Sequence, residues 1–482
     1  MPDELAQEFA SQSRSVVLAA AGCGKTELIA RAVATNNEGR QLILTHTHAG
    51  IRALRDRLHA KSVKSTLYKV DTIAGFSLLY ATSFPSTSGC RVEEPCSDMD
   101  WMHIYESALK SLHNKHIQNV LENSYTGLYV DEYQDCTKKQ HDLIMVLAKL
   151  LPTRIVGDPL QGIFGFSKDD PLVDWNQDVY PFFKRLPDLE IPYRWLGNNE
   201  ALGKWLIDVR KLLLLGNPIQ LQVDGPVKWV KLGNPMYHQA AQINTCLALL
   251  KNSSDSIVVL RMWLREAHSI SKKLKGRFRS MEEVECKDLL DWCERLEKAN
   301  GIKKAELLLE FALTCMTRKP EPLNDLYRFL QSGEFPGENK LKKLALLKDI
   351  LRNVAESGDL STISAALQII ADNPEVTFHR KELYREMVKV THNFDESSGL
   401  SLRRTAWKIR DGARRFGRFI DPRVVSRTTL VKGLEFDHVV IVNAADFNDA
   451  KNLYVALTRG ARSLTIMSTD NIIQRASPEL EQ

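Results

Sequence analysis

The chain has no C-x-x-C pair. Its eight cysteines, at positions 23, 90, 96, 136, 246, 286, 293 and 315, are scattered. No paired-histidine spacing accompanies them, which argues against a zinc module. Scattered unpaired cysteines fit a reducing compartment, so a cytoplasmic protein is expected. No apolar run reaches the ~18 residues a membrane span needs. The opening Met1-Pro2-Asp3-Glu4-Leu5 also lacks the apolar region of a signal peptide. No membrane association is expected. Charge of one sign is scarce too: 65 Lys and Arg against 60 Asp and Glu leave +5. That balance does not by itself imply nucleic acid, although a local basic patch still could. What remains is ordinary for globular domains, with 44% hydrophobic and 26% charged residues. A length of 482 residues exceeds one core and calls for two to four domains.

The most informative stretch is Ala20-Ala21-Gly22-Cys23-Gly24-Lys25-Thr26. It follows the apolar run Ser15-Val16-Val17-Leu18 and precedes a helical pattern. A strand, a glycine-rich turn and a helix make a phosphate cradle, with backbone N–H groups facing the phosphates. Lys25 would reach the β- and γ-phosphates, and the Thr26 hydroxyl would hold Mg²⁺. Ala19 stands where the pattern G-x-x-x-x-G-K-[ST] has its first glycine, so Gly22 and Gly24 must supply the flexibility.

Around this loop the chain reads as alternating strands and helices. Residues 1–13 suggest a short helix, on which Gln7 and Gln12 either read a purine edge or form a solvated face. A strand at 41–44 ends in Thr45-His46-Thr47-His48, and a helix is expected from 51 to 59. A third strand, 67–70, leads to Phe76. Residues 81–100 are rich in Ser, Pro, Gly and Thr and read as a loop, with a helix over 101–120. An apolar strand then delivers Asp131 and Glu132 to its end. Asp131 suits the Mg²⁺ shell, and Glu132 suits a base that deprotonates the attacking water. The strand 154–157 runs into Asp158-Pro159-Leu160-Gln161, where Gln161 is placed to feel a γ-phosphate. Phe164 and Phe166 could stack on bases or belong to the core. Tyr193 could stack on a purine, and Arg194 could reach a phosphate.

Strands are expected again at 227–230, 256–260, 424–425, 438–442 and 463–467, with a helical pattern and no strand signal between 265 and 418. The organisation expected is therefore a first α/β domain over 1–222, with a small insertion at 81–120. A second is split between 223–264 and 421–482 and carries a helical insertion over 265–420. Residues 272–279 hold five basic residues in eight. A second cluster comprises Arg403, Arg404, Lys408, Arg410, Arg414, Arg415 and Arg418, with Trp407 and Phe416 interleaved. Such runs hold a single strand, face solvent, or meet an acidic partner.

In this order the blocks resemble the UvrD/Rep-like branch of superfamily 1 DNA helicases. The resemblance implies an α/β fold with two RecA-like parallel-sheet domains forming a nucleotide cleft. It implies ATP and Mg²⁺ as ligands, and single-stranded or tailed DNA as the track. It assigns Gln7 to adenine, Lys25 and Thr26 to the phosphates and metal, and Asp131 and Glu132 to metal and catalysis. Gln161 becomes the γ-phosphate sensor, and Tyr193-Arg194 the pair that touches base and phosphate. Glu435, in Lys432-Gly433-Leu434-Glu435-Phe436, becomes a ribose contact. Arg459, in Val455-Ala456-Leu457-Thr458-Arg459, becomes an arginine finger from the second domain. Strand contacts fall on Thr45, His46, Phe76, Phe166 and Thr429. Here the chain departs from the family. His46 replaces a phenylalanine, Ala49 a lysine, Ser167 an arginine and Thr429 a histidine. The implied activity is ATP-driven helicase or translocase action, 3′ to 5′, in anti-phage defence or DNA repair. The alternative is a DNA-dependent switch that regulates a partner nuclease without processive unwinding. In compact size the chain is similar to the helicase-like subunit of Gabija anti-phage systems, whose partner is an OLD-family nuclease.

Overall fold

Short aliphatic runs without charge become strands buried on both faces of a parallel sheet. In the computed structural model, which describes residues 3–35, 39–92, 95, 97–164, 169–250, 254–283, 287–358, 360–395, 399–416 and 420–475, six strands form the first sheet, several of them built on such runs. They are β1 (Arg14–Leu18), β2 (Gln41–Thr45), β3 (Tyr68–Thr72), β4 (Gly127–Val130), β5 (Thr153–Gly157) and β6 (Lys184–Arg185). Their order is β3-β2-β4-β5-β1-β6, and every neighbouring pair is parallel. Alternate residues point to opposite faces. Val16, Leu42, Leu128 and Ile155 therefore enter one core layer, and Val17, Ile43, Tyr129 and Val156 the other.

Helix α1 (Asp3–Ser11) buries Ala6 and Phe9 in the second of these layers. Helix α2 (Lys25–Thr35) follows the phosphate loop. Helix α3 (His48–Ala60) starts three residues earlier than its apolar pattern suggests, because the Thr47 hydroxyl accepts from Gly50 N and caps it. Residues 81–100 are only partly a loop. One helix runs to Ser83, a turn of helix covers Pro85–Ser88, and Ser97 caps the helix Asp98–Leu112. The Ser and Pro that look like loop residues occupy caps and first turns, where they favour helix starts. A two-stranded antiparallel pair, β7 (Ile219–Gln220) with the last strand (Ile472–Ile473), completes this unit.

The second sheet contains β8 (Lys228–Lys231), β9 (Ile257–Leu260), β10 (Arg279–Ser280), β11 (Arg423–Ser426), β12 (Phe436–Ile441) and β13 (Gly460–Ser468). Its order is β10-β11-β9-β12-β13-β8. Strand β9 pairs in parallel with β11 and β12, β10 with β11, and β13 with β8. Strand β10 lies inside the stretch read as wholly helical. It is two polar residues long and is made by pairing, not by its own pattern. Among the described residues, seven α-helices between Lys287 and Phe416 surround a separate core that includes Leu308, Phe311, Leu351, Leu367 and Tyr384.

Contacts divide the chain into two compact units. The first holds Met1–Val227, Phe447–Ser463 and Ile472–Gln482; the second holds Lys228–Asp446 and Leu464–Asn471. The segment Phe447–Ser463, expected with the second domain, thus packs in the first. The basic cluster of the last insertion helix is partly used internally. Arg403 pairs with Glu294 at 2.7 Å, and buried Arg410 pairs with Glu382 at 3.2 Å. Arg279 Nη1 donates to Phe378 O at 2.6 Å. The side chains of Arg414, Arg415, Phe416 and Arg418 lie outside the described residues. Among those described, no helix is long and apolar enough to cross a membrane.

Candidate nucleotide site

The carboxyl ends of β1, β4 and β5 are neighbours, which is where open parallel sheets place ligands. After β1 the chain turns through Gly22 and Gly24, with φ of 71° and 92°, a region that strains residues with a Cβ. At Gly22 the constraint is double: an added Cβ would lie 2.6 Å from the Trp195 ring. Helix α2 then begins at Lys25, and Leu28 N donates to Gly24 O at 2.9 Å. The Cys23 thiol is pushed up to about 12 by burial, so it stays protonated between the two glycines.

Strand β4 brings the acid pair to this loop. Thr26 Oγ1 donates to Asp131 Oδ2 at 2.9 Å, and Lys25 Nζ lies 3.7 Å from Glu132 Oε1. Lys25 is 7% exposed and Asp131 2%, whereas the Glu132 side chain is 34% exposed and faces outward enough to meet a water. Glu132 adopts the left-handed conformation, φ 55°, and Asp131 Oδ1 accepts its N–H at 2.9 Å. Burial, then the Glu132 charge, push the Asp131 carboxyl above its ordinary range against the pull of Lys25. A divalent cation at this point would reverse that shift. One buried carboxylate beside a hydroxyl fits a Mg²⁺ that takes its other ligands from water and phosphate. No cluster of three or more His, Cys, Asp or Glu suited to a metal occurs among the described residues.

Strand β5 supplies a buried polar network. Asp158 Oδ1 accepts from Arg210 Nε and Nη2 at 3.2 and 3.0 Å, and its Oδ2 accepts from Gln161 Nε2 at 3.0 Å. Asp158 N donates to Gln134 Oε1 at 2.9 Å, while the Gln134 amide donates to the Glu132 carboxylate. Gln161 and Glu132 are therefore linked through Asp158 and Gln134.

The helix Ala450–Leu457 and the turn after it reach the same loop. Ala21 N donates to Tyr454 Oη at 3.1 Å. Burial holds the Tyr454 phenol well above its ordinary range, so it keeps its proton. Arg459 is 2% exposed, with Nε on Val455 O at 2.9 Å and Nη2 on Thr458 Oγ1 at 3.0 Å. Arg194 Nη1 donates to Thr458 O at 2.7 Å.

The structure thus gathers Lys25, Thr26, Asp131, Glu132, Gln161, Arg194 and Arg459 in the first unit. A cavity of about 380 Å³ beside Leu189 is lined by Glu4, Leu5, Glu8, Ile191 and Tyr193, and Gln7 is exposed on α1 outside that lining. Glu435 is exposed in the second unit.

Of the strand-contact residues, Thr45 and Phe76 are 2% and 3% exposed, and the Phe76 ring sits 4.5 Å from that of Tyr80 in the core. His46 Nε2 lies 3.5 Å from Cys136 Sγ. Thr429 has a buried Oγ1 without a partner. Phe164 is exposed, and Phe166 lies outside the described residues.

Four contributors escaped the sequence reading: Gln134, the Asp158–Arg210 pair, Trp195 and Tyr454. Gln134 and Asp158 lie inside motifs already singled out. Trp195 and Tyr454 carry no local signal beyond adjoining Arg194 and sharing a helix with Leu457.

Residues 87–173 match the family model described as UvrD/REP helicase N-terminal domain. The matched span contains Asp131, Glu132 and Gln161. Among solved structures, the chain is similar to arterivirus nonstructural protein 10 (helicase) in complex with DNA, at 14% identity and a TM-score of 0.27. The match covers 53% of this chain and 49% of that one. A second structure of the arterivirus protein gives 14%, 0.27, 55% and 53%. Pif1 helicase from Candida albicans gives 12% identity and a TM-score of 0.41, covering 97% of this chain and 94% of that chain. The chain therefore spans about half the length of the arterivirus chains it matches. No curated protein matches it. The resemblance to UvrD/Rep-like helicases holds in the segment that carries the acid pair and Gln161.

Proposed function

We propose that this chain is an ATP-dependent helicase or translocase of the superfamily 1 type, moving 3′ to 5′ on single-stranded DNA. The observation that supports it is the double pairing beneath the phosphate loop, Lys25 with Glu132 and Thr26 with Asp131. Lys25 leaves Glu132 for the β- and γ-phosphates when nucleotide enters. Glu132 then orients a water and takes its proton as the water oxygen bonds to the γ-phosphorus. The bond from that phosphorus to the β-phosphate oxygen breaks, leaving ADP and inorganic phosphate. Thr26 and Asp131 would hold Mg²⁺, which when bound offsets phosphate charge. Gln161 senses the γ-phosphate by exchanging its bond to Asp158. Arg194 and Arg459 face the developing charge, Tyr193 packs on the base, and Glu435 meets the ribose. His46 and Thr429 contribute to the strand grip.

The test is Mg²⁺-dependent ATP hydrolysis by the purified chain with and without single-stranded DNA. Stimulation by DNA, abolished in Lys25→Ala and Glu132→Gln, is expected. Equal rates with and without DNA would remove DNA from the proposal. Duplexes with 3′ or 5′ tails report the direction. The burial of Thr45 and Phe76 favours a second reading, a DNA-dependent switch that governs a nuclease. Unwinding of a tailed duplex by the chain alone would exclude it.

A further inference from the structure

The peptide carbonyls of Thr458 and Gly460, on either side of the Arg459 position, are both taken by consecutive side chains. Arg194 Nη1 donates to Thr458 O and Trp195 Nε1 to Gly460 O, each at 2.7 Å. Farther along, Asn199 Nδ2 donates to Arg462 O at 2.9 Å. The other end of this bracket rests on the phosphate loop. Arg194 N donates to Gly22 O at 3.2 Å, and the Trp195 ring fills the space a Gly22 side chain would need. Trp195 is 1% exposed, and the Arg194 guanidinium lies 5.3 Å from its ring centre. One tryptophan thus touches the loop expected to hold the phosphates and the carbonyl one residue past the arginine expected to meet them.

We infer that Trp195 is a positioning residue that registers the Arg459 backbone on the phosphate loop. This rests on the nucleotide-hydrolysing reading of the site. The Arg459 side chain is folded back onto Val455 O and Thr458 Oγ1, and must swing outward to reach a phosphate. A swinging side chain is placed only as well as the backbone it swings from. An indole N–H fixes that backbone with one short bond, and the ring makes its position depend on the shape of the loop. Tyr454 adds a second tie, through its hydroxyl on Ala21 N.

The test is a double-mutant cycle on ATP hydrolysis with Trp195→Phe and Arg459→Ala. Phenylalanine removes the bond to Gly460 O and trims the outer ring edge, Cζ3 and Cη2, that packs at Gly22. Misplacement of a reacting group by about 1 Å can cost a hundredfold, so Trp195→Phe is expected to lower kcat roughly tenfold to a hundredfold. The KM for ATP should stay within a factor of about two if ground-state binding is untouched. In the Arg459→Ala background the same change should have no further effect. Additive losses, or a fall in kcat matched by an equal rise in KM, would overturn the assignment. If Trp195→Phe does not fold, Tyr454→Phe enters the same cycle, with the same non-additivity expected and additivity again overturning the shared-tie argument. A wild-type chain that hydrolyses no nucleotide would instead reject the proposed function, a separate outcome visible before any variant is made.

Discussion

Single residues in this site are constrained from several directions at once, and that sets the size of their effects. Gly22 needs a positive φ and also has Trp195 where its Cβ would go. Gly22→Ala should therefore cost about 1–3 kcal/mol from backbone strain alone, with displacement of the indole adding to it. A urea titration of the variant against the wild type measures this, and a cost near zero would show that the ring gives way freely. Asp158 and Arg210 make a sharper case. Both are buried and hydrogen-bonded twice over. Burial works against the Arg210 charge, but Asp158 outweighs it and raises the guanidinium above its ordinary value. Arg210→Met would leave Asp158 charged and unpaired, with an expected loss of about 3–5 kcal/mol. Chemical denaturation measures that loss. Because Asp158 also holds Gln161, the variant should lose ATPase activity even where it remains folded.

Among the elements, strand ends were legible and strand partners were not. The apolar runs before Lys25, Asp131 and Asp158 announce buried strands, and polar residues at their ends announce a ligand side. Strand β10 was illegible because Arg279 and Ser280 are polar and alternate with nothing. Its place depends on β11 and on a contact of 2.5 Å between His268 Nδ1 and Ser280 Oγ. Phe76 and Thr45 were legible as motif positions but not as buried side chains, because their burial is decided by helices packed over them. Trp195 and Tyr454 act across more than 250 residues, a distance no local pattern crosses. The β10 region also gives a pH prediction. Burial pushes His268 down to about 3 and His379 down to about 4, with Arg380 working in the same direction on both. His268 Nε2 does lie 4.0 Å from Glu282, which would favour a charged ring. However, Arg380 already holds that carboxylate, with Nε on Oε1 at 2.8 Å. Both imidazoles are therefore neutral when folded, and the unfolded chain binds protons more readily, near pH 6.5. Their stabilising share is present above that pH and is lost as pH falls through 6.5 toward 4. Urea midpoints for the second unit should drop between pH 7 and pH 5. His379→Gln should flatten that drop, and an unchanged slope would count against this origin.

For the whole molecule, the division into two units makes a claim about ligand linkage. The chain leaves the first unit at Lys228, and Phe447–Ser463 returns to it carrying Tyr454 and Arg459. Every phosphate-side residue of the proposed site then lies in the first unit, whereas Glu435 lies in the second. Among the described residues, the helical region holds its own core and has no core residue in common with either layer of the first sheet. Units with separate cores melt as separate transitions unless a large apolar interface joins them. A ligand stabilises only what it binds, by about 2.7 kcal/mol at a hundred times its Kd. For a unit of this size that is a rise of about 5–10 °C in Tm. Calorimetry with Mg-ADP should therefore move one transition by that amount and leave the other in place. Hydrogen exchange should locate the protected amides in the phosphate loop and in the helix Ala450–Leu457. If both transitions rise together, the nucleotide is held by the two units jointly, and Glu435→Ala should then uncouple them. The return of the arginine segment to the first unit argues for the first result, because it puts every proposed phosphate contact in that unit.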